Sequence, residues 1–182
     1  MKRIAILMAL FAIASVGAFA QSGNYGGKWT LDKAKSTMDE RGGVESITLA
    51  VTHSPETLTV ATTTKRVQPQ GAGAGGGRQG GMARGPGLMG GDGTVTYTLD
   101  GKEHSTSQES QMGTMETKVS AKSAGTGLEL TSIRKMNSPA GEITLTTVEN
   151  WSLSDEGQTL TVKREMDTPR GKLSSTMVFT RS

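Results

Sequence analysis

Apolar and polar residues alternate along most of the chain after residue 26, which is the pattern of half-buried β-strands. Segment 94–99 is the clearest case, because its three threonines face away from Val95, Tyr97 and Leu99. No window of helical length shows a clean 3.6-residue repeat. The other predicted strands are 27–31, 47–52, 58–66, 103–108, 115–122, 128–136, 142–153, 159–166 and 173–181, of which the polar segment 103–108 has the weakest pattern.

The segments between these strands contain turn residues. Pro55 and Pro169 preset φ for a turn, and Gly101, Gly125 and Gly157 allow positive φ. Strands that follow one another about every ten residues through such turns predict an antiparallel meander. A meander that closes on itself is an up-and-down β-barrel, here of 8–10 strands, and closure removes exposed strand edges. An open two-layer sandwich is the competing arrangement.

Two of the predicted strands change the face on which their apolar residues lie. Val148 breaks the parity shared by Ile143 and Trp151, and Ile133 breaks the parity of Leu128. A β-bulge or strong coiling of each strand would explain the change, and barrels often contain such features. A misplaced strand end is the simpler alternative.

The first twenty residues have the features of a secretory signal peptide. Met1-Lys2-Arg3 is a short positive start, residues 4–16 are almost entirely apolar, and Ala18-Phe19-Ala20 is a small-x-small cleavage pattern. The apolar run is shorter than the roughly 20 residues that span a bilayer. We therefore expect a mature domain of residues 21–182 that is periplasmic or secreted and is not an integral membrane protein. An uncut N-terminal anchor is the alternative.

Composition narrows the remaining possibilities. The chain has no cysteine, which excludes disulfides, thiol chemistry and an acylated lipoprotein. Without Lys2 and Arg3 the net charge falls from +3 to +1, so the charge gives no reason to expect nucleic-acid binding. The chain has 25 threonines, a β-branched residue type that favours strands.

Segment 68–93 differs from the rest because it holds about half of the 25 glycines of the chain. Glycine at this density does not repay the entropy of ordering, so we predict a flexible insertion between two strands. Its Arg-Gly fragments are similar to RNA-binding segments, but they contain few arginines and an exported protein would not meet RNA. Contact with the cell envelope or cover over a barrel mouth are further readings of this segment.

Few residues could support catalysis. His53 lies in a predicted turn and His104 in the polar segment 103–108, far apart and without a metal-ligand spacing. No serine or threonine has nucleophile-elbow spacing, and Glu103 and His104 are adjacent strand residues that face opposite sides. We therefore expect no enzyme activity, no bound metal and no cofactor.

Two arginines lie on apolar faces of predicted strands. Arg164 shares its parity with Leu160 and Val162, and Arg134 shares its parity with Leu128. An inward arginine reaches the barrel rim, contacts a buried acid, or binds a ligand carboxylate. All three alternatives remain open at this point.

Four segments together resemble a known family. Gly27-Lys28-Trp29 is similar to the G-x-W opening of lipocalin-like barrels. This opening, together with segments 97–103 and 151–162 and the final 178–181, resembles the exported lipocalin-like proteins of unknown function of soil bacteria such as Acidobacteria. The resemblance implies a closed antiparallel barrel in which Trp29 plugs one end and Arg181 packs over its indole. The chain departs from true lipocalins because it lacks cysteine, a clear helix and a strongly apolar interior.

Two functions follow as hypotheses. The first is a non-catalytic exported barrel that binds a small apolar or amphipathic ligand, with five candidate cavity residues. The second is a cell-envelope interaction protein with a filled barrel, whose glycine-rich insertion reaches a partner. The candidate ligand-binding residues are Tyr97, Met115, Arg134, Trp151 and Arg164.

Overall fold

The computed structural model describes residues 23–38, 43–67, 92–110, 113–138, 141–169 and 171–182. The predicted signal peptide, residues 1–20, lies outside the described residues, and so does segment 68–91 of the predicted glycine-rich insertion. Of that insertion only Asp92 and Gly93 are described, and Gly93 already begins a strand.

The described chain is built from ten strands, which confirms the predicted all-β class. The weakest prediction, segment 103–108, is a strand as well. A short 3₁₀ turn at Lys33–Lys35 is capped by the Asp32 carboxylate. The strands are β1 (Gly27–Leu31), β2 (Val44–His53), β3 (Thr57–Arg66), β4 (Gly93–Thr98), β5 (His104–Ser110), β6 (Gly113–Ala124), β7 (Gly127–Ser138), β8 (Gly141–Leu153), β9 (Thr159–Thr168) and β10 (Gly171–Arg181).

All ten strands belong to one antiparallel sheet in the order β4-β3-β2-β1-β10-β9-β8-β7-β6-β5. Strands that follow one another in sequence pair with each other, except β4 and β5. The first strand, β1, also pairs with the last, β10, which brings the two ends of the domain together. One continuous sheet of this order is an up-and-down barrel, so the barrel is confirmed over the sandwich. The barrel is nearly closed: within the described residues β4 and β5 end the sheet and each pairs with a single strand.

The tight turns contain the residues that the sequence indicated. Gly101, Gly125 and Gly157 have φ of 73°, 63° and 67°, a region that residues with a side chain rarely adopt. The Pro55 turn is held by the Ser54 hydroxyl, which accepts the N–H of Thr57 at 3.0 Å. These turns lie at one end of the barrel, the closed end.

A β-bulge, one of the two explanations predicted for the parity changes in β7 and β8, is wrong. The register of β7 with β8 runs without interruption from Leu128↔Trp151 to Ser138↔Gly141. The apolar parity changes because polar side chains take inward positions in mid-strand, and Ile133 and Val148 lie half-buried on the outer face. The register shift that the barrel does contain falls between Val44 and Ser46 of β2.

The core fills the closed end and thins toward the other end, the open end. The largest fully buried side chains lie at the closed end or next to it. Residues 141–144 of β8 and 171–174 of β10, at the open end, are exposed on both faces. Within the described part of the chain, no helix is long and apolar enough to cross a membrane. The fully buried large side chains are Trp29, Tyr25, Phe179, Leu58, Leu128, Leu130, Leu160 and Val162.

Candidate functional site

Trp29 closes one end of the barrel, as the resemblance implied. Its indole is fully buried, and Nε1 donates to the carbonyl oxygen of Tyr25 at 2.9 Å. The Arg181 guanidinium carbon lies 4.3 Å from the indole ring centroid, within cation–π range. Arg181 also donates to the carbonyl oxygens of Gly157 at 2.9 Å and Gly26 at 2.6 Å. The arginine therefore ties the chain start, a hairpin turn and the indole together, which is a structural role.

Tyr25 and His53 also contribute to the packing at the closed end of the barrel. Tyr25 is fully buried and its hydroxyl donates to the carbonyl oxygen of Trp151 at 3.3 Å. Its backbone N–H donates to Nδ1 of His53 at 3.4 Å, and the two rings meet edge to face with centroids 5.7 Å apart. The accepting Nδ1 must be unprotonated, and burial lowers the pKa of His53.

We expect the protein to lose stability as the pH falls through about 6.5, the ordinary pKa of histidine. The folded state favours neutral His53, so below this pH the unfolded chain binds more protons and folding becomes less favourable. Thermal midpoints measured between about pH 5 and 8 should show this slope, and His53→Gln, which keeps an acceptor but does not titrate, should flatten it. An unchanged slope in His53→Gln would show that His53 is not responsible.

A charged pair lies inside the barrel, between β8 and β9. Glu149 and Arg164 are directly opposite in the register. Nε of Arg164 donates to Oε1 of Glu149 at 2.7 Å, and Nη2 lies 2.6 Å from the same oxygen. The other carboxylate oxygen, Oε2, accepts from Nε1 of Trp151 at 2.8 Å. Of the three alternatives for Arg164, the structure shows contact with an acid, and this acid is mostly buried.

Hydroxyl groups complete this region. Thr147 is 2% exposed, and its Oγ1 has no hydrogen-bond partner in the described structure. Ser132, also buried, lies directly across from Thr147 on β7. Burial raises the pKa of Tyr97 well above its usual value, and the Glu149 carboxylate adds to this effect, so the phenol is neutral. We call Tyr97, Thr147, Glu149, Trp151 and Arg164 the interior polar cluster.

The cluster borders a cavity of about 40 Å³. This volume holds a small polar group or a few water molecules, since one water needs roughly 10–15 Å³ by the same measure. The rest of the wall is mostly apolar. The apolar lining residues are Ile47, Leu49, Val60, Val95, Leu130, Val162, Met177 and Phe179.

The structure brings three of the five predicted ligand-binding residues together. Tyr97, Trp151 and Arg164 line the cavity. Arg134 is buried on the inner face, as its parity predicted, but it is not part of the cavity wall. Burial lowers its pKa, while the neighbouring Tyr97 acts in the opposite direction. Met115 lies nearer the open end, in the row Met115–Met136 across β6 and β7.

Glu149 and Thr147 were not among the site residues predicted from the sequence. Both occupy inward positions of β8, two and four residues before Trp151, where an alternating strand would place apolar residues. A signal was present, however, because the β8–β9 hairpin register pairs Glu149 with Arg164. An inward arginine opposite an inward glutamate predicts a buried ion pair.

Apolar side chains continue along the inner face toward the open end. Met136 is opposite both Met115 and Ile143, and Met166 is opposite Leu173. We call these five residues the open-end rim. Ile143 and Leu173 are 38% and 49% exposed, which is unusual for large apolar residues on the inner face of a barrel.

His104 has an acidic neighbour that the sequence analysis did not consider. Its Nε2 lies 3.2 Å from an Asp100 carboxylate oxygen, while Glu103 pairs with Lys118 at 2.9 Å. The pair of His104 and Asp100 is exposed at the β4–β5 turn and stands apart from the interior polar cluster. The expectation that the protein is not an enzyme stays a prediction.

Over the described residues, the chain forms a ten-stranded, nearly closed antiparallel barrel whose interior cavity has polar and apolar walls. No protein-family model matches the chain, and no curated protein matches it. Among solved structures, the chain is similar to a fatty acid transporter, REP1-NXSQ, with 12% identity, a TM-score of 0.44 and coverage of 86% of this chain and 95% of the other.

Two further solved structures are similar at the same level. The zebrafish ileal bile acid-binding protein complexed with cholic acid has 12% identity and a TM-score of 0.44, with 87% and 98% of the two chains covered. The fatty-acid-binding protein of Manduca sexta has 10% identity and a TM-score of 0.40, with 85% and 97% covered. At this level of similarity, none of these proteins indicates what this chain binds.

Proposed function

We propose that the protein is a non-catalytic, exported barrel that binds a small amphipathic molecule with its polar head at the interior polar cluster. The observation that supports this proposal is the cluster itself. A mostly buried ion pair, an indole N–H bonded to it and an unpartnered buried hydroxyl surround one cavity, the rest of whose wall is mostly apolar. Export rests on the sequence features of residues 1–20.

The cluster is costly for a purely structural barrel. Burying charged groups costs several kcal/mol per ion, and a well-packed apolar replacement is often equally stable. A buried hydroxyl without a partner adds about 1–3 kcal/mol. Polar groups that cost stability and converge on a cavity are typical of binding sites, where they orient a ligand.

The open-end rim suits the apolar part of such a molecule. The head would occupy the small cavity, which is too small for a whole lipid-like ligand. The tail would then lie along the inner face toward the open end, against apolar residues such as Ile143 and Leu173. Methionines adapt to tails of different shape, and Met115, Met136 and Met166 lie on this path.

A filled barrel that serves as a cell-envelope interaction protein is the second candidate function. The cavity volume of about 40 Å³ favours it, because drug-sized ligands usually occupy several hundred Å³. Its partner contact would come from the glycine-rich insertion 68–93. In this case the interior polar cluster would bind no ligand. The pair of Glu149 on β8 and Arg164 on β9 would only fix the register of these two strands.

The two tryptophans allow a direct test by fluorescence. Trp151 lines the cavity, whereas Trp29 lies at the closed end under Arg181. In Trp29→Phe, a titration with 1-decanol should change the Trp151 emission and saturate at micromolar concentrations, about −8 kcal/mol of binding. In the matched variant Trp151→Phe, the emission of Trp29 should stay constant.

The outcome separates the two candidate functions. A saturable change confined to Trp151 supports ligand binding at the cluster. No change in Trp29→Phe with either 1-decanol or decanoate would contradict the proposal and favour the filled barrel. Equal changes in both variants would indicate general detergent-like contact rather than a site.

A further inference from the structure

We infer that the ligand head at the interior polar cluster is an uncharged hydrogen-bonding group, such as a hydroxyl or carbonyl, and not a carboxylate. This inference rests on the proposed function and specifies its ligand class. Some polar groups around the cavity already bond to other protein groups, and others are left to bind a ligand. The inference follows from this difference.

Arg164 is the only cationic residue in the cavity wall among the described residues, and it is already compensated. Two of its nitrogens contact one oxygen of Glu149, at 2.7 and 2.6 Å. A ligand carboxylate at Arg164 would place a second negative charge beside Glu149 in a largely desolvated site. Like charges this close disfavour ionisation of both groups, so the site resists a second anion.

The second carboxylate oxygen of Glu149 is engaged as well. It accepts the indole N–H of Trp151 at 2.8 Å, which fixes the carboxylate and the indole relative to each other. The pair and the indole therefore form a neutral, internally bonded wall. Such a wall orients a ligand by shape and dipoles and offers no net charge to it.

The polar groups left for a ligand are hydroxyls. Thr147 Oγ1 is buried and has no partner in the described structure, and the Tyr97 phenol, held neutral by burial, lines the same cavity with Ser132. A hydroxyl both donates and accepts, so it complements an alcohol or a carbonyl equally well. The cavity of about 40 Å³ matches a head of this size.

Arg134 lies near the cavity and interacts electrostatically with the Tyr97 phenol. It is buried on the inner face, it is not a lining residue, and it has an interaction partner of its own in the protein. Its register partners are Thr117 on β6 and Leu145 on β8. Arg134 and Leu145 lie two residues closer to the open end than Ser132 and Thr147.

The test compares two probes that share a ten-carbon chain and differ in the head. Binding of 1-decanol and of decanoate to the full protein is measured by calorimetry at about pH 8, where decanoate is ionised and His53 is neutral. We expect 1-decanol to bind at least tenfold more tightly. Equal affinities or a preference for decanoate would overturn the inference and leave the proposed function standing.

Thr147→Val identifies the hydroxyl that bonds the head. Loss of one hydrogen bond at constant shape should weaken 1-decanol binding by about two- to tenfold. Thr146→Val is the matched control, because Thr146 is the next residue on the same strand and lies on the outer face. Equal weakening in both variants would contradict a role for Thr147.

Glu149→Gln tests the compensation of Arg164. The amide keeps the shape and an acceptor but removes the charge, so Arg164 becomes available to an anion. We expect the preference for 1-decanol over decanoate to fall by at least tenfold or to reverse. An unchanged preference would overturn the inference. If this variant does not fold, the inference is still tested by the relative affinity of the native protein for 1-decanol and decanoate and by the two threonine variants.

Absence of binding by both probes has a separate meaning. It would contradict the proposed function itself, together with this inference. Failure of the inference alone appears as binding of the wrong head, which the fluorescence of Trp151 would still report.

Discussion

Replacing Trp29 by alanine should lower the free energy of unfolding by about 3–5 kcal/mol, the range for removing a large buried aromatic side chain. The indole is fully buried, stacks under the Arg181 guanidinium and donates to the Tyr25 carbonyl, so all three interactions disappear together. Urea denaturation followed by circular dichroism at constant pH measures the change.

Trp29→Phe is the graded control. It keeps an aromatic face for Arg181 and most of the buried volume, so its cost should be clearly smaller. Because Trp29 does not line the cavity, the folded fraction of either variant should bind 1-decanol as the native protein does. A loss below about 1 kcal/mol in Trp29→Ala would mean that the closed end is not part of the cooperative core.

The strands were predictable because apolar and polar residues alternate along a strand wherever one of its faces is buried. In β4 the residues Val95 and Tyr97 point inward, and Thr94 and Thr96, which alternate with them, point outward. The tight turns were predictable for a local reason, since Gly101 and Gly157 adopt positive φ. Closure at Trp29 and Arg181 came from the resemblance, because no local pattern pairs the first strand with the last.

The site was predictable only in part, because alternation assigns apolar residues to the interior. In β8 the inward positions between Leu145 and Trp151 are Thr147 and Glu149, and apolar Val148 lies on the outer face. The same inversion at Ile133 of β7 suggested bulges that the register excludes. At a functional site, polar residues occupy inward positions and interrupt the alternation of apolar and polar residues. When only the apolar residues are considered, this interruption is mistaken for a β-bulge.

Pairing information would have recovered the missing glutamate. The β8–β9 hairpin is short, and its register follows from Leu153↔Leu160 next to the turn. Counting back along both strands from that pair places Glu149 opposite Arg164. The position of Met115 could not be inferred this way, since parity gives the face of the barrel but not the distance from the cavity.

Removing one partner of the Glu149–Arg164 pair should be the other large effect. We expect Arg164→Leu or Glu149→Leu to cost about 2–4 kcal/mol, somewhat below the range for fully buried pairs because the two side chains are 18% and 13% exposed. Each single variant leaves an uncompensated charge inside the barrel. The free energies of unfolding are measured by urea denaturation at the same pH and salt concentration.

The double variant, Glu149→Leu with Arg164→Leu, separates two contributions to stability. One is the contribution of the intact pair, and the other is the destabilisation caused by a single unpaired charge. It removes both charges, so it should be more stable than either single variant, and the cycle should show a coupling well above about 1 kcal/mol. Additive losses would instead mean that the two side chains act independently, against the geometry. If the double variant is as stable as the native protein but no longer prefers 1-decanol to decanoate, the pair contributes selectivity rather than stability.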